Sequence, residues 1–408
     1  MLFSGIIEVI PGQISDTVSG STRLGGLIGY SAGGSVNSYI DNCQVRGSIT
    51  FKGDNAKFIG GVLGNAAESG SSQPVIVTNT YFEEGSVSVK GSSPTIANNS
   101  IGGFCGHSTN NNLTFYKCGS LAGVFDIDLT GSYLYAGGFI SQNAGGTISN
   151  CYSHVNILTK HESINTNSSN YIGGFAGYNY GTIEKCYAAG TVRAVQISNP
   201  TSLYIGGLVG ENMATIRNCY ALGHVLADKR SGVGAVYAGG LVGQSSTNSI
   251  DNCYSTGQVT AQSLESTAYS GGLIGYRQSG TITNTASLGA KVLASATSPV
   301  AGRIAGSASA GLTGNSANEL MRIGTGTYNS SLDYRYGDIS YIMGLIAGTV
   351  ATTDNTATGM NGADATTMNF MSSAYWQTTL GFSSTIWDFS TPALYRGYPL
   401  LVGLPGQQ

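Results

Sequence analysis

The chain has 408 residues and a formal net charge of −3 at neutral pH, and only 10% of its residues are charged, against about 25% in ordinary soluble domains. Without a basic stripe it is no candidate for nucleic-acid binding, and no apolar run approaches the roughly 18 residues of a membrane span. Its 41% hydrophobic residues set it apart from disordered chains, and 61 glycines against 8 prolines fit stacked strands joined by small polar turns.

The first segment, Phe3-Ser4-Gly5-Ile6-Ile7, reads as the third strand of a coil, so residues 1–19 are taken as a partial N-terminal coil. The opening residues lack the basic and apolar regions of a signal peptide. Composition and repeat type point to an exported chain whose leader has been removed.

Residues 20–320 are built on one phrase. It opens with a glycine pair, as in Tyr204-Ile205-Gly206-Gly207-Leu208-Val209-Gly210, and continues about a dozen residues later with Ile216-Arg217-Asn218-Cys219-Tyr220. The leading glycines are Gly25, Gly60, Gly102, Gly137, Gly173, Gly206, Gly239, Gly271 and, in a decayed copy, Gly302. Such a regular period means one supersecondary unit stacked on copies of itself.

Three short segments recur in each copy: the glycine phrase, Thr-Ile-x-Asn-Cys-Tyr, and a Gly-x-Val piece such as Gly190-Thr191-Val192. They are too short and too rich in glycine for helices. The expected fold is all-β: a right-handed parallel β-solenoid of about nine coils, three strands each, closed by a C-terminal cap. Rungs about 4.8 Å apart give a rod of roughly 40 Å.

Stacking turns equal positions into ladders. The asparagines Asn42, Asn79, Asn150, Asn218, Asn252, Asn284 and Asn315 are expected at or near a turn, with Lys117 and Lys185 interrupting the row. Cys43, Cys118, Cys151, Cys186, Cys219 and Cys253 share the next site, which Thr80, Thr285 and Ser316 occupy in other copies. That interchange implies a small side chain in a tight internal slot, and in-register thiols point the same way, so free buried thiols are expected. Two tyrosine rows follow from the same logic: Tyr135, Tyr171, Tyr204, Tyr237 and Tyr269 before the glycine pair, and Tyr152, Tyr187, Tyr220 and Tyr254 after the cysteine. Packing explains both rows, and an exposed row is also a candidate surface for a glycan or a partner.

Little else carries chemistry. Gly29-Tyr30-Ser31-Ala32-Gly33 matches a nucleophile-elbow pattern but lacks alternating strands and helices around it. The histidines His107, His154, His161 and His224 are scattered, and His161-Glu162 is not followed by the second histidine of a zinc motif. With no Cys-x-x-Cys and no phosphate loop, neither metal nor cofactor is expected. Asp126 and Asp128 read as a solvated pair in an insertion.

The phrases Gly-Gly-Leu-Val-Gly and Asn-Cys-Tyr-Ala-x-Gly-x-Val resemble the GLUG-motif repeats of bacterial cell-surface and secreted proteins, large adhesins among them. The tail is similar to the usual ending of such proteins: Thr366-Thr367-Met368, then Trp387-Asp388-Phe389, then Tyr398-Pro399-Leu400-Leu401. Residues 321–408 are accordingly read as a capping segment, with Trp376, Trp387 and Tyr398 as an apolar lid over the open end. Residues 338–348 are read as a short helix or an eroded strand.

The resemblance implies a non-catalytic, adhesin-like or structural protein, extracellular or at the cell surface. The expected partner is a host or neighbouring-cell surface protein or glycan, met through insertion loops at residues 110–130 and 158–170. The candidate ligand-facing residues are Tyr135, Tyr171, Tyr204, Tyr237, Tyr269, His161, Asn165 and Asn167. Two alternatives stand beside this reading. One is a subunit of a self-associating surface fibre. The other is a glycan-binding or glycan-processing module, which would show an exposed tyrosine row flanked by acids.

Overall fold

The computed structural model describes residues 2–4, 7–9, 22–31, 38–53, 57–66, 74–92, 98–108, 111–121, 123–163, 168–197, 201–328, 349–350, 353–390 and 398–407. A complete coil is made of five short strands, not three. In the coil of residues 203–229 they are Leu203–Gly206, Val209–Asn212, Ile216–Arg217, Tyr220–Ala221 and Val225–Lys229. The extra corners lie inside the repeated phrases. One falls just after the glycine pair and the other at the asparagine.

Strands pair in parallel with their copies in the coils before and after, so five sheets, numbered one to five in chain order, run along the solenoid; the second is reduced to isolated bridges at Cys105 and Ser108 in the third coil. The first sheet carries all nine glycine strands. Their leading glycines pair in unbroken register from Gly25↔Gly60 to Gly271↔Gly302, which makes eight turns between the first and the last. Glycine is required at this corner by close approach. A Cβ on Gly206 would overlap the Val209 carbonyl of its own coil, and one on Gly207 would overlap the Gly240 carbonyl of the next.

The interior is a continuous apolar column. The residue after the glycine pair sits at its centre. Phe104, Phe139 and Phe175 stack there with ring centroids 4.8 Å apart, and Leu208, Leu241 and Leu273 continue the same position, fully buried.

The asparagine ladder forms the corner between the third and fourth sheets. Asn42, Asn79, Asn150, Asn218, Asn252 and Asn284 all have positive φ, between 46° and 55°, and Lys117 and Lys185 adopt 54° and 52°. Asparagine tolerates the left-handed region better than other non-glycine residues, which accounts for the row. The last coil is displaced by one position from the sequence reading. Gly314 (φ 68°) turns the corner, Asn315 falls in the cysteine column, and Ser316 pairs with Ala286 in the tyrosine column.

The described parts of the two expected insertion loops are largely strand. Residues 110–130 contain Leu113–Tyr116, Gly119–Ser120 and most of Val124–Gly131, and residues 158–170 begin inside Asn156–Ser163. The added length extends the fifth sheet, where the two eight-residue strands pair along their whole length. Asp126 and Asp128 project from that sheet toward Lys90 (3.2 Å) and Lys160 (3.6 Å). Residues 338–348 lie outside the described residues.

The C-terminal segment has two separate tasks. Residues 353–365 close the end of the rod. The Met360 carbonyl accepts from the backbone N–H of Ile304 and of Ala305, as the next coil would, and Ala363–Ala365 adds a strand to the fourth sheet. Arg303 replaces the second glycine of the pair and anchors this end. Its buried guanidinium donates to the carbonyls of Asn361 (3.0 Å) and Gly362 (3.1 Å) and meets Asp364 at 2.6 Å. The copy that reads as decayed is thus adapted to hold the cap.

Residues 366–390 and 398–407 then lie back along the flank as a strap. Trp376, Trp387 and Tyr398 do not cover the open end. They pack on Tyr152, Tyr187, Tyr220 and Tyr254 of the fourth sheet. No helix among the described residues is long and apolar enough to cross a membrane.

Candidate functional site

Strand alternation points the residue two places before each leading glycine outward from the first sheet. Tyr135, Tyr171, Tyr204, Tyr237 and Tyr269 occupy that position in five successive coils, in register. Their rings stack with centroids 5.0, 5.0, 5.1 and 5.3 Å apart and planes within 19° of parallel. All five are half-buried. Neighbours take up the faces of the inner rings, so the ladder presents a ridge of ring edges, with the Tyr171, Tyr204 and Tyr237 hydroxyls hydrogen-bonded to the side chains of Ser169 and Ser202.

A second column runs beside it on the second sheet, in the order Gln142, Tyr178, Glu211, Gln244 and Tyr276. Tyr178 stands nearly perpendicular to Tyr171, at 4.9 Å and 80°, and Tyr276 leans against both Tyr237 and Tyr269. The Tyr178 hydroxyl lies 2.6 Å from that of Tyr180, whose ring is exposed. Between the two tyrosines of this column sits a polar pair. Glu211 Oε1 accepts from Ser246 Oγ at 3.0 Å and from Gln244 Nε2 at 3.3 Å, and Gln244 Nε2 reaches Gln278 Oε1 at 3.3 Å. Burial raises the Glu211 carboxyl above its ordinary range. It also raises the phenols of Tyr135, Tyr171, Tyr204 and Tyr237, so these four are neutral at physiological pH.

The other tyrosine row is geometrically its twin and is covered. Tyr152, Tyr187, Tyr220 and Tyr254 stack at 5.4, 4.9 and 4.8 Å, under the strap. Tyr187 and Tyr254 donate to the carbonyls of Pro405 (2.9 Å) and Pro399 (2.8 Å), and Tyr220 donates to Gln407 Oε1 (2.9 Å).

The remaining candidates fall elsewhere. His161 is buried on the inward face of the fifth sheet, with its Nδ1 3.0 Å from Asn170 Nδ2, and burial pushes its pKa down to about 3. It presents nothing to a ligand, which corrects the expectation from sequence. Asn165 and Asn167 lie outside the described residues. Ser31 ends the strand Ile28–Ser31 and pairs with Ala66, and residues 32–37 lie outside the described residues. All seven cysteines are free and buried. Among the described residues no cluster of three or more His, Cys, Asp or Glu side chains is placed to hold a metal.

Sequence reasoning missed the column of Tyr178, Glu211, Gln244 and Tyr276. The signal was present, because each follows the third glycine of its phrase, at Gly177, Gly210, Gly243 and Gly275. Recognising that the glycine corner separates two strands would have placed both columns on one outward face.

These features define a non-globular class of protein: a parallel β-solenoid with one tyrosine ladder strapped over and its twin open. The family model of the GLUG motif matches residues 132–158, 168–193, 201–226 and 234–260, each match running from the first sheet to the fifth sheet of one coil. Residues 132–260 thus carry four GLUG-motif repeats. No curated protein and no solved structure matches it.

Proposed function

We propose that the chain is a non-catalytic, adhesin-like binding scaffold of the cell surface or extracellular space, and that its ligand face is the tyrosine ridge of the first and second sheets. The observation that carries this reading is the contrast between the ladders. Two rows of the same chemistry stand on one rod. The protein covers one with its own C-terminal strap and leaves the other half-exposed over five coils. Tyrosine suits an exposed binding face, because a large rigid ring with a hydroxyl gives contact area and hydrogen bonding at little entropic cost.

The ridge carries a single carboxylate among the described residues, Glu211, turned toward Ser246 and Gln244. Glycoside hydrolysis ordinarily uses a pair of carboxylates flanking the bond, so this face is better suited to holding than to cutting. The test is binding of the labelled protein to intact cells and to a panel of immobilised oligosaccharides, measured beside Tyr204→Ala/Tyr237→Ala. Loss of binding in a variant that still folds supports the reading, and unchanged binding removes the ridge from it.

A further inference from the structure

Resting on that reading, we infer that the ridge takes an extended peptide segment of a partner protein bearing aromatic and proline residues, rather than a sugar chain stacked on its rings. The covered ladder is the worked example. There the molecule shows what fits a row of stacked tyrosines at this rung spacing. Aromatic side chains meet the ladder at an angle, with Trp376 5.5 Å and 61° from Tyr254 and Trp387 6.1 Å from Tyr220. The outward hydroxyls are taken by the peptide itself, two by carbonyls of prolines and one by a glutamine amide oxygen. The strap needs no regular pairing with the sheet to do this, because each contact goes to a side chain.

The open ladder offers the same elements. Its ring spacings of 5.0 to 5.3 Å are those of the covered row to within a few tenths of an ångström. Sugar rings are usually held flat against an aromatic face, and in the middle of this ladder the faces are occupied by neighbouring rings. Ring edges remain, together with hydroxyls that share hydrogen bonds with Ser169 and Ser202 and can take a further partner on their outer side, and a peptide satisfies both. Beside Tyr204, the acceptor Glu211 suits a peptide that is neutral or basic at that point.

The probes are two fluorescein-labelled peptides of the chain's own sequence, residues 374–390 and 398–407, titrated with the full-length protein by fluorescence anisotropy. At least one is expected to bind saturably. Binding should weaken tenfold or more in Tyr204→Ala/Tyr237→Ala, and less in Tyr204→Phe/Tyr237→Phe, which keeps the stack and removes two hydroxyls. The phenylalanine pair also keeps the test valid if the alanine pair fails to fold. No saturable binding at millimolar protein overturns the inference, as does equal binding to all three proteins. If immobilised oligosaccharides bind instead and the ridge variants abolish that binding, the peptide inference fails while the ridge remains the ligand face. If neither ligand class responds to the ridge variants, both readings fail.

Discussion

The backbone N–H of Cys186 donates to the sulfur of Cys219 one coil further along, at 3.4 Å, and the Cys219 thiol lies 3.2 Å from the carbonyl of Arg217. The same bridge recurs at Cys118–Cys151 and Cys219–Cys253. Where the thiol is replaced, Thr80 Oγ1 accepts from Cys43 N–H at 3.4 Å and Asn315 Oδ1 accepts from Thr285 N–H at 3.1 Å. The column therefore selects a small side chain able to satisfy the backbone groups left over by the left-handed corner. Size alone does not explain it. Burial raises the thiols of Cys151, Cys186 and Cys253, which keeps them protonated and able to donate.

This gives a ranking for substitutions at Cys219. Threonine keeps a donor and an acceptor and should change stability by less than about 1 kcal/mol. Valine has similar volume but leaves the buried Cys186 N–H without its acceptor, and should cost about 1–3 kcal/mol. Urea denaturation of both variants checks it. Equal losses would return the site to a question of volume. The native protein should also resist thiol reagents until it is unfolded.

Lys185 turns its corner at φ 52°, whereas seven of the other eight corners in this row use asparagine or glycine, Lys117 being the exception. Among the described residues its ammonium meets Glu184, at 4.0 Å on the surface, so little is lost by removing it. Lys185→Asn should stabilise the protein by about 0.5–1 kcal/mol by easing the left-handed backbone. Asn218→Ala should destabilise it by a similar amount. Paired thermal melts decide the matter, and a neutral or destabilising Lys185→Asn would count against backbone strain as the basis of the asparagine row.

The repeat was legible because each of its residues is fixed by a local constraint copied every coil: close approach at Gly206, left-handed backbone at Asn218, a bridging side chain at Cys219. The number of strands was less legible, because a corner made by glycine or asparagine interrupts pairing without interrupting the phrase. Arg303 and the strap were misread for a different reason. Their roles depend on contacts with Asp364 and with Tyr220 and Tyr254, residues far away in sequence and outside the period. His161 was placed on the surface because the lengthened strand Asn156–Ser163 reads as an insertion, while its pairing with two neighbouring strands turns the histidine inward. Which tyrosine row faces solvent follows from the strap alone, and nothing inside the repeat distinguishes them.

The two tryptophans, Trp376 and Trp387, both belong to the strap and are fully buried against the covered ladder. Tryptophan emission therefore reports strap docking. Tyr220→Ala/Tyr254→Ala should shift emission to the red and expose residues 366–407 to protease while the solenoid stays folded, since a strap held by side chains opens locally. Tyr204→Ala/Tyr237→Ala, on the open ladder, should leave emission unchanged. A red shift from both pairs would mean that the two ladders are not independent.

Two buried histidines set an acid limit on the fold. Burial holds His161 neutral, with its pKa lowered from 6.5 to about 3, and does the same for His107, lowered to about 4. A group whose folded pKa is depressed contributes stability that is complete above its unfolded pKa and is lost as pH falls below it. At pH 5, about 1.5 units below the unfolded value, each histidine should withdraw about 2 kcal/mol. Glu211 acts in the opposite sense, because its raised carboxyl pKa removes stability as pH climbs through it. His161→Gln keeps a hydrogen-bonding side chain at that position and removes the titration, so it should lessen the fall in stability between pH 6.5 and pH 5 by roughly 1.5 kcal/mol, leaving the shares of His107 and of His154, whose pKa burial also lowers. Denaturation midpoints measured for both proteins across that range provide the check, and parallel curves would show that His161 is not responsible.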